Sequence, residues 1–526
     1  MFHRRAMTTA LLAASAGVCT LASAQLRVVN WNVTNYTSGR TAEFQTAFYG
    51  TVPSGLDYAG YSMAPDVVIA EEILSQTGVN NFLSLLNTAP GSPGDWAAAP
   101  FIDGPDSDCG LFYRTSKVVY IQTKIISLAT GSTALPPRHT YRYDVRLAGY
   151  ANSAPHTLAC YATHMKAGST TDDQARRLLE ANKIRDNANG LDTNGAGTAL
   201  PAGWNFLIGG DFNIQSSSQA AYQRMVGSET NNAGRMWDPI NTPGSWNNNG
   251  AFRFVHTQDP STTGSGGMDD RHDQILISTS LTNGDGLDYI GNISLPYSTT
   301  TWNDPNHSYR CWGNDGSTFN LSLATTTNTM VGPAIAQALI TTTNVGASSG
   351  GHLPVFLDLR VPAKVTSQTL LNFGQVPLNA PAALTLNVSN SGDVSLWGVN
   401  GIDALNYSLS ASAGFSAPAG SFVELAGGGS NAHSITMDTS TVGIKSGTLI
   451  IASDASEEPS RLITLSGEVL GGCAADFNGD TGLDFFDYLD FVAAFSSADP
   501  TADFNGDTSI DFFDYLDFVA AFSTGC

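Results

Sequence analysis

Ile208-Gly209-Gly210-Asp211-Phe212-Asn213 is an apolar strand whose end delivers a carboxylate and an amide two residues apart. Side chains of an extended chain alternate between faces, so Asp211 and Asn213 point the same way. In a phosphoryl site such a carboxylate orients an attacking water, and such an amide hydrogen-bonds charge developing on a phosphate oxygen. Taken alone, Gly, Asp and Asn in a row are ordinary turn residues. The weight therefore falls on what else the chain brings to strand ends.

Val28-Val29-Asn30-Trp31-Asn32-Val33 ends a strand with Asn32, and Val67-Val68-Ile69-Ala70-Glu71-Glu72 ends another with paired acids. Tyr161-Ala162-Thr163-His164 places a histidine at a strand end. Asp269-Asp270-Arg271-His272-Asp273 precedes the strand at Ile275, and His352-Leu353-Pro354-Val355 introduces the last strand of the region. Hard divalent cations such as magnesium or manganese take carboxylate oxygen and keep much of their water. Glu72 with Asn32 nearby is then an adequate metal-binding pair, whereas Glu71 reads as a first-turn acid of a helix or a solvated side chain. Most single histidines are structural, but two at strand ends in this company point to chemistry.

Residues 1–24 have a basic start, an Ala/Leu-rich run and Ala22-Ser23-Ala24, the three parts of a secretory signal, so a secreted chain starting near Gln25 is expected. No other run reaches the roughly 18 apolar residues of a membrane-spanning helix, and no transmembrane segment is expected. Over 25–362, apolar runs at 26–29, 67–70, 118–121, 158–161, 206–208, 275–277 and 355–357 alternate with Gly/Asn/Ser-rich loops. Helical spacing is found at 41–49 and 172–185. This predicts packed sheets covered by helices. Residues 363–470 turn to alternating strands (384–388, 434–437, 447–451, 462–465) separated by turns, a β-sandwich pattern without a convergent acid, base or metal set.

The formal net charge is -22. Lys+Arg against Asp+Glu is 19 against 27 over 25–360, 3 against 8 over 361–471 and 0 against 11 over 472–526, so the tail supplies half of the deficit. The first region lacks the basic footprint of a tight nucleic-acid binder, a lack that bound cations can offset. Of the six cysteines, Cys19 leaves with the signal, and Cys473 and Cys526 bracket the tail as a preferred disulfide. Pairing among Cys109, Cys160 and Cys311 stays open.

The tail, 473–526, is an internal repeat: the segment from Asp476 to Phe495 recurs from Asp503 to Phe522. Oxygen-bearing side chains stand at loop positions 1, 3, 5, 9 and 12 of each copy: Asp476, Asn478, Asp480, Asp484 and Asp487, then Asp503, Asn505, Asp507, Asp511 and Asp514. That spacing suits calcium, with two Ca2+ expected. The helix after each loop is expected to pack through Tyr488, Leu489, Val492 and Phe495, and through Tyr515, Leu516, Val519 and Phe522. Phe485, Phe486, Phe512 and Phe513 are either core or contacts for a partner.

In order along the chain, the Trp-Asn strand, the acid pair, the Thr-His strand, Gly-Asp-Phe-Asn, Arg-x-Asp and His-x-Pro-Val make residues 25–362 resemble the endonuclease/exonuclease/phosphatase family, in its branch near pancreatic deoxyribonuclease and bacterial sphingomyelinases. The resemblance implies an α/β four-layer sandwich of two packed sheets flanked by helices. It implies that Asn32 and Glu72 hold the metal, that His164 acts as acid or phosphate ligand, and that Asp211 and Asn213 position nucleophile and phosphate. Asp273 would pair with His352, a base or phosphate contact. Two features depart from that family. Its usual acid before the His-x-Pro-Val histidine is Gly351 here, with Asp269 or Asp270 as possible substitutes. The acid that supports the first histidine has no clean counterpart, Asp106 and Asp108 being candidates. Arg138 or Arg142 would contact phosphate, with a structural role equally open for each. The middle region resembles immunoglobulin-like modules of the abnormal-spindle and choice-of-anchor type, through Leu371-Asn372-Phe373-Gly374 and Val388-Ser389-Asn390-Ser391-Gly392. The tail resembles a dockerin, a small all-α module of paired calcium loops, which implies a cohesin-like or cell-surface partner. Nucleic acid is the favoured substrate, with a sphingomyelin-type phospholipid as runner-up. Gly351 motivates a reading of another class, an inactive binding or surface-scaffold protein.

Overall fold

The computed structural model describes residues 25–195, 197–261, 266–344, 351–480 and 482–525, so the expected signal segment lies outside the described residues. Among the described residues no helix is long and apolar enough to cross a membrane. The chain forms two compact units. One runs to Ala363 and includes Gly392–Asp403; the other comprises Lys364–Ser391 and everything from Ala404. Gly392–Asp403, placed by sequence inside the sandwich, thus belongs to the first unit, where Lys117 lies 4.5 Å over the ring of the buried Trp397.

In the first unit one sheet runs β11 (Asp288–Tyr289), β13 (Val355–Arg360), β1 (Leu26–Tyr36), β2 (Val67–Ile73), β4 (Asp108–Arg114), β3 (Trp96–Ala98), with β12 (Arg310–Cys311) also on β13. The other runs β5 (Val118–Ser127), β6 (Thr140–Leu147), β7 (Thr157–His164), β8 (Asn205–Asp211), β10 (Asp273–Ser278), β9 (Met236–Trp237). The pairs β1/β2 and β7/β8 are parallel, and α1 (Thr41–Tyr49) and α3 (Thr171–Ala188) lie in their connections. Their outer neighbours β13 and β10 are antiparallel. Parallel strands bring their C-terminal ends to one edge, and antiparallel neighbours bring their N-terminal ends there too. This topology gathers the strand-end residues quoted above.

The sheets pack face to face closely enough that a Cβ on Gly209 would lie 2.6 Å from Asn30 Oδ1 and 3.0 Å from Ile69 Cδ1 of the opposite sheet. Gly209 therefore sets sheet spacing just before Asp211. Helices cover both outer faces. On β1, Trp31 meets Phe44 and Phe48 of α1 with ring centroids 5.0 and 5.3 Å apart, and Phe82 of α2 (Gln76–Thr88) packs on Tyr36. On the other sheet, Ala181 and Ile184 of α3 and Tyr222 and Met225 of α4 (Ala220–Val226) share a core with Tyr161, Phe206 and Ile208. The sequence showed α1 and most of α3 but not α2, α4 or α5 (Gly332–Thr341). Gly and Asn in α2 are weak helix formers, and its buried Val79, Phe82, Leu85 and Leu86 hold it through packing instead. Cys109, Cys160 and Cys311 are buried free thiols.

The second unit contains two further sheets. One is β14 (Val365–Ser367), β16 (Ala383–Asn390), β20 (Asn431–Met437), β18 (Phe415–Ser416); the other is β15 (Leu370–Pro377), β22 (Ser460–Leu470), β21 (Gly443–Ser453), β17 (Leu405–Ala411), β19 (Ser421–Glu424). Leu386, Val388, Ile435, Leu449, Ile451, Ile463 and Leu465 are their buried alternate residues. After them, α6 (Phe485–Ser496) and α7 (Phe512–Thr524) follow the repeated loops, each opened by a capping box, Asp484 with Asp487 and Asp511 with Asp514. Of the expected packing face, Tyr488, Val492, Phe495, Tyr515, Val519 and Phe522 do pack against the tail core. Phe491 and Phe518 form its centre, stacked 3.9 Å apart, while Leu489 and Leu516 face outward. Phe485, Phe486, Phe512 and Phe513 are exposed. Cys473 is in a disulfide; Cys526, its expected partner, lies outside the described residues.

Candidate active site

Asn32, Glu72, His164 and Asp211 sit at or near the C-terminal ends of β1, β2, β7 and β8, Asp273 starts β10, and His352 precedes β13. In register, His164 faces Asp211 and Asp211 faces Asp273. Asp211 is the hub. Its Oδ2 accepts from Asn32 Nδ2 at 3.2 Å and lies 3.3 Å from His164 Nε2 and 3.7 Å from His352 Nε2. Its Oδ1 accepts the backbone N–H of Asn213 at 3.0 Å. Asn32 Nδ2 also donates to Glu72 Oε1 at 3.0 Å, and Glu72 Oε2 accepts from Asn35 N–H at 2.8 Å. His352 Nδ1 stands 2.7 Å from Asp273 Oδ2, and Trp31 donates to the His352 carbonyl at 2.9 Å. Glu72 and Asn213 adopt φ of 62° and 52°, which non-glycine residues hold only where their surroundings impose it. For Glu72 the cause is a register shift between Ala70 and Ile73.

The two histidines are driven apart. Burial, with Arg138 and His352 adding to it, holds His164 well below its ordinary pKa and hence neutral. Burial would lower His352 as well, but Asp273 and Asp211 outweigh it and hold His352 well above 6.5. Opposed environments for two similar groups are how a site assigns acid and base roles. A stability consequence follows by linkage. Because the folded-state pKa of His352 is raised, its contribution is complete below about pH 6.5 and is lost as pH rises through the folded value. Asp273→Asn is therefore expected to lower the melting temperature most at and below pH 6.5, with the difference from wild type shrinking at alkaline pH. Parallel melting curves over the whole range would contradict the pairing.

The other sequence candidates divide. Asn213 projects Nδ2 to the Met165 carbonyl at 3.1 Å, tying the ends of β7 and β8 together. Arg138 stands at the rim, hydrogen-bonded to Ser107 and 3.2 Å from Asp106 Oδ2, with its charge felt by His164. Arg142 is buried and fully engaged: Nε donates to Asp144 at 2.8 Å, and Nη1 donates to Asn187 and Thr198. It is a structural residue and not a phosphate contact. Arg142→Met is expected to cost about 3–5 kcal/mol, the effect of breaking a buried ion pair, with KM unchanged in the surviving folded protein; a raised KM would return it to the site. Asp108 accepts from Tyr141 and Gly104, and Asp106 faces Arg138, so neither supports His164; Glu72 Oε1, 3.8 Å from His164 Nδ1, is the neighbouring acid. Asp270 is held by Asn247 at 2.9 Å.

Three residues of the site escape the sequence reading. Glu71 is fully buried, the opposite of the solvated or first-turn acid expected. His272, also buried, lies 3.6 Å from Asp270 and within the field of Asp211 and His352. Asp259 is buried near His352. The oxygens of Glu71, Asp273 Oδ1 and His164 Nδ1 are buried without a hydrogen-bond partner. Buried charge without a partner is costly, and an oxygen-rich set of this kind suits a hard divalent cation.

No protein-family model and no curated protein matches the chain. Among solved structures it is similar to the human Nocturnin catalytic domain with bound sulfate, at 13% identity over 65% of this chain and 95% of that one, TM-score 0.34. It is also similar to an endonuclease/exonuclease/phosphatase family protein from Bacteroides thetaiotaomicron (14%, 64% and 94%, TM-score 0.33) and to sphingomyelinase C from Streptomyces griseocarneus (12%, 63% and 98%, TM-score 0.34). At this level of likeness the chemistry rests on the side chains.

Proposed function

We propose that the first unit is a divalent-cation-dependent phosphodiesterase of the endonuclease/exonuclease/phosphatase type that hydrolyses nucleic acid. The observation that carries this is the convergence of Asn32, His164 and His352 on one oxygen of Asp211, with Asp273 behind His352. Asp211 takes the proton of the attacking water. His352, charged at neutral pH, offers Nε2–H to a phosphoryl oxygen, and neutral His164 offers a second contact beside it. Arg138 adds positive charge at the rim. Asn32 and Glu72 would hold Mg2+ or Mn2+, which supplies Lewis-acid neutralisation of phosphate charge when bound.

The chain is proposed to be secreted, its tail to hold two Ca2+ and its exposed tail phenylalanines to face a cohesin-like or cell-surface partner. Plasmid DNA, single-stranded DNA, RNA, sphingomyelin and bis-p-nitrophenyl phosphate, each with magnesium, manganese or calcium, test the reading. Cleavage of a nucleic acid with magnesium or manganese is expected. Sphingomyelin turnover alone would move the substrate to phospholipid. One observation favours an inactive binding protein, the absence of an acid at Gly351, and failure on every substrate with every metal would select it.

A further inference from the structure

Position 351 cannot hold a side chain as the molecule is packed. A Cβ on Gly351 would lie 2.0 Å from Thr343 Cγ2 and 2.1 Å from Thr343 Cβ. Thr343 is itself buried, with its hydroxyl on the Ile340 carbonyl at 2.7 Å. Any acid that serves the cation in place of residue 351 must come from elsewhere.

Glu71 is placed for it. In the β1/β2 register Glu71 is paired with Asn32, so the two side chains leave neighbouring strands on the same face. Both are fully buried. Asn32 already touches Glu72 and Asp211. Neither Glu71 oxygen has a hydrogen-bond partner. A bound divalent cation would satisfy these oxygens. Independent of Glu71, His164 Nδ1 and Asp273 Oδ1 are also buried and unpartnered at the same edge. Of the other acids, Asp270 is taken by Asn247, and Asp259, whose Oδ1 is likewise buried without a partner, stands by Gln258 and not in the β1/β2 pair that carries Asn32 and Glu71.

We propose that Glu71 joins Glu72 in binding the divalent cation, supplying the carboxylate that position 351 cannot carry. The inference rests on the reading of this edge as a cation-dependent phosphodiesterase site. It is tested by titrating Mn2+ into the full chain by calorimetry for wild type, Glu72→Gln and Glu71→Gln. The difference between wild type and Glu72→Gln isolates this site from the tail loops. Glu71→Gln, which keeps size and removes charge, is expected to weaken Mn2+ at that site at least tenfold and to raise the melting temperature of the metal-free protein. Mn2+ binding lost in Glu72→Gln but intact in Glu71→Gln would overturn this inference alone. Superimposable isotherms for wild type and Glu72→Gln would overturn the underlying cation site. A metal-free protein destabilised by Glu71→Gln would also overturn the inference, since it would show a carboxylate needed by the fold and not by the cation.

Discussion

Asp211→Ala is expected to reduce phosphodiester turnover by about 10³-fold or more, mainly in kcat, while the protein stays folded. General-base catalysis alone contributes about 10²–10⁴-fold, and Asp211 does more than accept a proton. One of its oxygens is the common neighbour of Asn32, His164 and His352, and the other fixes the backbone of Asn213. Removing it leaves two imidazoles and an amide without the group that orients them. It also removes one of the acids that keep His352 charged, burial being the opposing influence, so the cationic contact to phosphate weakens together with the base. Asp211→Asn separates these roles: it keeps an acceptor for the Asn213 N–H but cannot take a proton, so it should be nearly as slow as Asp211→Ala while melting close to wild type. Turnover within tenfold of wild type for both variants would place the reaction elsewhere on the molecule.

The strand-end residues were legible because period-two alternation and a terminal polar residue are local signals. Asn32, His164, Asp211, Asp273 and His352 needed only the topology to bring them together. Glu71 and Glu72 were not separable by that rule. Two adjacent acids at a strand end should point to opposite faces, and the register shift between Ala70 and Ile73 that turns Glu72 into the left-handed region leaves no trace in composition. His272 carries no such signal, because β10 begins at Asp273 and His272 lies before the alternation starts. For Arg142 a signal existed: Arg142 and Asp144 are two apart in one strand and hence on one face, the arrangement of their buried ion pair. The cost of a side chain at 351 depends on Thr343, contributed by the segment after α5, and no sequence spacing reports that contact.

Removing calcium is expected to open the tail, with chymotryptic cleavage inside 473–525 accelerating at least about 10²-fold in the full-length protein. The tail's core is small, centred on Ala475, Phe491, Ala502 and Phe518, and a core of this size supplies little stability by itself. It carries 11 acidic and no basic residues over 472–526, so no side-chain cation offsets its loops. Each loop is already shaped to concentrate negative charge. Asp476 Oδ1 accepts the N–H groups of Gly479 and Asp480, and Asp487, buried, accepts those of Asn478 and Asp484. The second loop repeats the pattern, with Asp503 on Asp507 and Thr508 and Asp514 on Asn505 and Asp511. These bonds fold the backbone beside four carboxylates per loop, a set of oxygens that a bound calcium would draw together. A ligand at about 100 times its Kd stabilises the folded form by about 2.7 kcal/mol, a hundredfold change in the open population that proteolysis reads directly when reclosing is fast. Chymotrypsin is the required probe, because a segment without Lys or Arg offers trypsin no site. Asp476→Ala should reduce the calcium stoichiometry of the tail from two to one and give an intermediate cleavage rate. Identical cleavage with calcium and with chelator would leave the repeated loops as an acidic surface and remove calcium from the account.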